Sequence, residues 1–176
     1  MQKLVARERK IVYDRDGNRR EGGCVLPKND PEKFFRALHR LESDPKVAQM
    51  KRFSQHRGNP TFVHCRSVAV MSFLLAQRLG WRIDEAALAR GAMLHDFHLY
   101  SFRGSRVNVF DHAFGHPRRA LENAERLFPL SGKEKNIIVS HMWPLTLFTP
   151  PRSKEAFLVT LADKLCALRE MGARRR

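Results

Sequence analysis

Long apolar runs are missing from this chain of 176 residues. Charges interrupt every apolar stretch well short of the roughly 20 residues that a membrane-spanning helix needs, so no membrane segment is expected. The opening MQKLVARERK has no apolar signal region either, and a cytoplasmic location is expected. Cysteine is scarce. The three thiols, Cys24, Cys65 and Cys166, are odd in number and unpaired in spacing, which argues against a disulfide framework and for a reduced compartment. No internal repeat and no low-complexity segment is visible, so the chain reads as one domain, with or without an arm. Acid is also in short supply: 18 Asp+Glu stand against 33 Lys+Arg, a formal charge of +15. Such a surface attracts polyanions. Nucleic acid and a highly phosphorylated small molecule both answer to that charge, as does a simply cationic surface. No nucleic-acid-binding motif selects the first.

What is present is enough apolar residue, 43% of the chain, to bury an ordinary core. Residues 1–30 differ from the rest and read as an N-terminal arm. Lys10 to Tyr13 and Arg19 to Val25 form candidate strands around the turn signal Asp14-Arg15-Asp16-Gly17-Asn18. Residues 31–176 read as one helical domain, giving an all-α fold of about seven helices. Asp30-Pro31 starts the first, with Phe34, Phe35, Leu38 and Leu41 on one face. A short helix follows Asp44-Pro45. Thr61 is expected to cap a helix from Phe62 to Leu79, which Gly80 ends. Asp84 caps the next, to about Phe97. Residues His98 to Gly115 read as a long functional loop or lid. Pro117 is expected at the first turn of a helix to about Phe128, and Ser131 with Glu134 makes a capping box for a helix to about Met142. Ser153 caps the last helix, through Leu168, and the tail from Gly172 is expected to fray.

The residues that carry chemistry lie on these helices. Gly91-Ala92-Met93-Leu94-His95-Asp96-Phe97 closes an apolar helix on an adjacent imidazole and carboxylate, a pair suited to Fe, Mn or Zn. His64 heads the stripe His64, Val68, Met71, Leu75 and so faces the core. His141 follows Ile137 and Ile138 on another apolar side. His116 stands beside Pro117. Asp163 sits in the last apolar helix, where a buried carboxylate is costly without a cation. A lone histidine on such a face, His64 or His141 alike, is usually a hydrogen-bonded core residue. Together, imidazoles and carboxylates aimed inward from separate helices point to a metal.

The order His64, His95-Asp96, His116, His141, Asp163 resembles the HD-domain superfamily of metal-dependent phosphohydrolases in its two-metal form. The stretches His116-Pro117, Ser140 to Thr146 and Ala162-Asp163-Lys164 look like a small bacterial subgroup. The resemblance covers roughly Ser54 to Leu168. It implies an HD-type helical bundle in which His64, His95, Asp96 and Asp163 hold one metal. His116 and His141 add a second, with Asp96 bridging. His95 and Asp96 are then the catalytic pair. The implied cofactor is one or two divalent ions, Fe or Mn first, with Zn, Ni, Co and Mg also compatible. Phe97-His98 stands where many members carry Ile-Gly, and the glycine-tyrosine-proline stretch of the cyclic-dinucleotide phosphodiesterases is absent.

The implied reaction is hydrolysis of a phosphoester of a nucleotide or other small phosphorylated metabolite by a metal-activated hydroxide. Arg118, Arg119 and Lys164 are candidates for gripping the phosphoryl group, or are solvated surface charges. His98 or His112 is a candidate proton donor, or a loop residue. Two rivals share the ligand pattern: a di-iron oxygenase on the same fold, and a non-catalytic sensor of a phosphorylated ligand.

Overall fold

The structure is a computed structural model. It describes residues 29–53, 59–97 and 114–172 with their side chains, and 11–13, 19–21 and 109–113 as backbone. The N-terminal pair is β1 (Ile11–Tyr13) and β2 (Arg19–Glu21), antiparallel, with Val12 opposite Arg20. Of the expected return strand, Arg19–Glu21 is described, and its continuation and the turn lie outside the described residues. The helices are α1 (Pro31–Glu42), α2 (Pro45–Ala48), α3 (Thr61–Leu79), α4 (Glu85–Leu94), α5 (Val109–Leu127), α6 (Gly132–Ser140) and α7 (Lys154–Gly172). A 3-10 turn, Gln49–Arg52, continues α2. The domain is all-α, as expected.

Helix starts follow local chemistry. Asp30 accepts from the Glu32 and Lys33 amides at the head of α1, and Asp84 accepts from Ala87 N at the head of α4. Ser131 and Glu134 satisfy each other's backbone amides in a full capping box before α6. Gly80 ends α3 at φ 64°, a left-handed position that suits glycine. The side chain of Asn29 ties the chain ahead of α1 to the α3–α4 connection, donating to Trp81 O and accepting from Ile83 N.

α3 packs on α4 and α7, and α4 also packs on α1 and α6. Phe34, Leu38, Met50, Leu88, Met93, Ile137 and Leu158 are fully buried between them. Each such side chain contributes about 1.5–3 kcal/mol by leaving water. α4 and α6 come unusually close at Gly91. A Cβ built there would lie 2.7 Å from Ile137 Cδ1 and 2.9 Å from Ile137 Cβ.

Three expectations are corrected. Thr61 does not cap α3; it is the first helical residue, and its hydroxyl donates to Phe53 O instead. Helix α5 begins at Val109, so Pro117 lies inside it rather than at its start, and only residues 98–108 of the expected lid remain outside the described residues. A proline signals a helix start because its missing N–H costs nothing in the first turn. Here tertiary packing keeps Pro117, which is buried, in the helix interior despite the lost bond. Last, α4 and α6 stop at Leu94 and Ser140, one residue before His95 and His141.

Candidate metal centre

That early stop aims the histidines. His95 and His141 are the C-caps of α4 and α6. The last carbonyls of a helix have no partner within it. His95 Nδ1 donates to Ala92 O at 2.8 Å, and His141 Nδ1 donates to Ile138 O at 2.7 Å. A carbonyl only accepts, so each Nδ1 carries the proton. Each ring is thereby locked with Nε2 turned inward. The two helix ends also present their negative dipole ends to the same region, which favours a cation there.

All the expected donors converge. His64 Nε2 lies 3.0 Å from Asp163 Oδ1, and His95 Nε2 lies 3.7 Å from the same oxygen. Asp96 is shared by its two oxygens. Oδ2 is 3.3 Å from His95 Nε2, while Oδ1 is 3.5 Å from His116 Nε2 and 3.6 Å from His141 Nε2. The facing His116 and His141 Nε2 atoms are 2.8 Å apart. His64, His95, Asp96, His116, His141 and Asp163 are all buried. Two donor sets result, His64–His95–Asp163 and His95–Asp96–His141, each with its ligand atoms within 4.8 Å of one another.

The charges are mutually dependent. Burial pulls the His64 imidazole down, but Asp163 and Glu170 on its two nitrogens hold it up, at about 10. Burial likewise opposes charge on His95, and Cys65, Asp96 and Asp163 outweigh it, raising it well above the usual range. Asp96 and Asp163 are held far below the usual carboxylate range, against burial, chiefly by the neighbouring imidazoles. His141 is pushed down to about 3, by burial first and by His116 and His95 beside it. Neutral His141 with Nδ1–H committed to Ile138 offers its Nε2 lone pair inward, as a ligand must.

These residues fit a divalent cation. His95 Nε2 is fully buried and makes no well-formed hydrogen bond, only the 3.3 and 3.7 Å approaches to Asp96 and Asp163, although a buried nitrogen left so is costly. The 2.8 Å between the His116 and His141 nitrogens matches adjacent donors on one ion with bonds of about 2.1 Å. Imidazole mixed with carboxylate suits Fe, Mn and Zn alike.

Of the two expected arginines, Arg119 lies nearer than Arg118 to the His116 face of the helix by register. It lies on α5 one turn after His116, half-exposed, its guanidinium folded over Gly115. Arg118 is exposed on the opposite face. There it lines an open cleft of about 740 Å³ with Phe114, Val139, Leu145, Leu147 and Phe148. His116, two residues from both Phe114 and Arg118, points away from that cleft, about 200° round the helix. The cleft is not the metal group. Lys164 Nζ donates to His141 O and Thr160 O, at 3.1 and 3.3 Å, and so fastens the end of α6 to α7. His98 lies outside the described residues, and His112 is described as backbone only.

One residue escaped the sequence reading. Glu170 Oε1 is 3.1 Å from His64 Nδ1. Its signal was its spacing: it follows Asp163 by two helical turns and so shares its face. Cys65 and Cys166 are buried free thiols. Burial, with Glu170 and Asp163 nearby, pushes Cys166 up to about 11, so it is an inert thiol at neutral pH.

A helical bundle whose inward histidines and aspartates share a buried centre defines a metal-binding class of all-α domain. The HD-domain family model matches residues 61–168, which spans every one of those six donors. The chain belongs to the HD-domain family, a superfamily of metal-dependent phosphohydrolases. Neither the curated proteins nor the solved structures provide a match. Among the described residues, no helix is long and apolar enough to cross a membrane.

Proposed function

We propose that this chain is a phosphohydrolase that cleaves a phosphoester of a nucleotide or another small phosphorylated metabolite, with one or two bound divalent ions, Fe or Mn first. The observation that carries the proposal is Asp96, whose two oxygens are divided between His95 on one side and His116 and His141 on the other. His64, His95 and Asp163 would hold one ion, and His116 and His141 a second, with Asp96 between them. When bound, such ions supply a nucleophile by lowering the pKa of water and neutralise phosphoryl oxygens.

The chain's own residues prepare that site. The Ala92 and Ile138 carbonyls fix the tautomers of His95 and His141. Lys164 holds the end of α6 so that His141 stays in place. Burial of the donors excludes bulk water, which strengthens every charge contact within. Arg119, one turn after His116 on α5, would grip a phosphoryl group bidentately. The excess of basic residues would concentrate the anionic substrate, so capture should weaken as salt rises.

The test is turnover on a panel of nucleotides and phosphorylated metabolites, with Mn or Fe, at low and high ionic strength. Salt-sensitive, metal-dependent phosphate release is the expected result. No turnover together with O₂ uptake on an organic substrate would replace the proposal with a di-iron oxygenase. Tight, salt-sensitive binding of one phosphorylated ligand without turnover would replace it with a sensor.

A further inference from the structure

Resting on the metal reading above, we infer that Glu170 is a positioning residue for the metal centre, acting through His64. Three histidines of the centre, His64, His95 and His141, solve the same problem in two ways. His95 and His141 each anchor Nδ1 on a carbonyl three residues back in their own helix. His64 sits in the first turn of α3, and its Nδ1 faces Glu170 Oε1, 106 residues on, at 3.1 Å. His64 therefore depends on a long-range, charged anchor. α7 grips both sides of the ring, with Asp163 at Nε2 and Glu170 at Nδ1, two turns apart. His64 is fully buried and the Glu170 side chain only 18% exposed, so water is a poor substitute for the carboxylate.

Two consequences follow. Glu170 keeps the His64 proton on Nδ1 and leaves Nε2 as the ligand atom. It also makes the ring a stronger donor, since a carboxylate on the far nitrogen raises the basicity of a ligating imidazole. The last turn of α7 is thereby part of the metal centre although it contributes no ligand.

The experiment measures Co²⁺ and Mn²⁺ affinity of the full chain by competition with a chelator, and records the visible spectrum of the Co²⁺ form. Glu170→Ala should weaken binding roughly 10–100-fold and shift the Co²⁺ bands, because loss of such an outer partner has that effect. Glu170→Gln keeps an acceptor oxygen and should recover most of the affinity. Leu168→Ala, at an exposed position in the same helix end, should bind as the parent does. Parental affinity and spectrum in Glu170→Ala overturn the inference. Equal losses in Glu170→Ala and Leu168→Ala also overturn it, since the effect would then be that of a weakened helix end. The parent is measured first: a parent that takes up no divalent ion removes the metal reading itself, whereas a binding parent with an indifferent Glu170→Ala removes this inference alone.

Discussion

At the residue scale, the centre is a set of groups whose charges exist only because of one another. Without metal, His64 is held protonated up to about 10, while Asp163 is held ionised far below its usual range. A raised histidine contributes stability that is complete below its unfolded value of about 6.5 and is lost as pH rises through the folded one. A depressed aspartate contributes stability present above about 3.9 and lost as pH falls. The metal-free protein should therefore melt at a lower temperature at pH 9 than at pH 6. Metal reverses the slope, because ligands must give up protons to bind it. The gain in melting temperature on adding Mn²⁺ should grow from pH 6 to pH 8, which paired thermal melts would check. A gain that shrinks over that range would contradict this balance. Arg119→Ala should raise KM about tenfold or more with a smaller fall in kcat, the loss of a charged phosphate contact being worth about 1.5–3 kcal/mol. Arg118→Ala, on the cleft face, should leave KM within about twofold of the parent's. Steady-state kinetics on both variants separates these outcomes. The inward faces of His64, His141 and Asp163 were legible in the sequence from their apolar helical neighbours, and the grouping of all six residues came from the resemblance to the HD superfamily. The place of Pro117 inside α5 was not legible, since helix-start rules cannot report a proline that packing keeps in a helix interior.

At the element scale, the centre depends on how closely α4 and α6 approach, since each ends on a ligand. Gly91 allows that approach, its missing side chain replaced by the Ile137 side chain. Gly91→Ala should force the helices apart and destabilise by about 1–3 kcal/mol, net of alanine's better helix propensity. Metal affinity should fall with it, since His95 and His141 would move together with their helices. Chemical denaturation and a metal titration check both; full stability with full affinity would show that Ile137 simply moves aside. The caps at Asp30, Asp84 and Ser131 were readable because capping is local chemistry. The early ends of α4 and α6 were not, because the apolar pattern runs on through Phe97 and Met142. What stops each helix is a histidine bonding a carbonyl of its own last turn.

At the scale of the whole molecule, helical periodicity supplied the inward faces and the resemblance to the HD superfamily implied their common centre, and the six residues do converge, buried, in the bundle. The N-terminal arm was readable only as a short strand pair, which the structure shows at Ile11–Tyr13 and Arg19–Glu21. The charge of +15 argues for an anionic partner, which we propose to be a small phosphorylated substrate; nucleic acid answers to the same charge without a motif to favour it. The central claim, that two donor sets share Asp96 around bound metal, is tested most directly by counting metal ions in protein purified without added metal. Elemental analysis should find up to two divalent ions per chain in the parent, about half that in the double variant His116→Ala, His141→Ala, and close to none in Asp96→Ala. Undiminished metal content in Asp96→Ala would contradict the account.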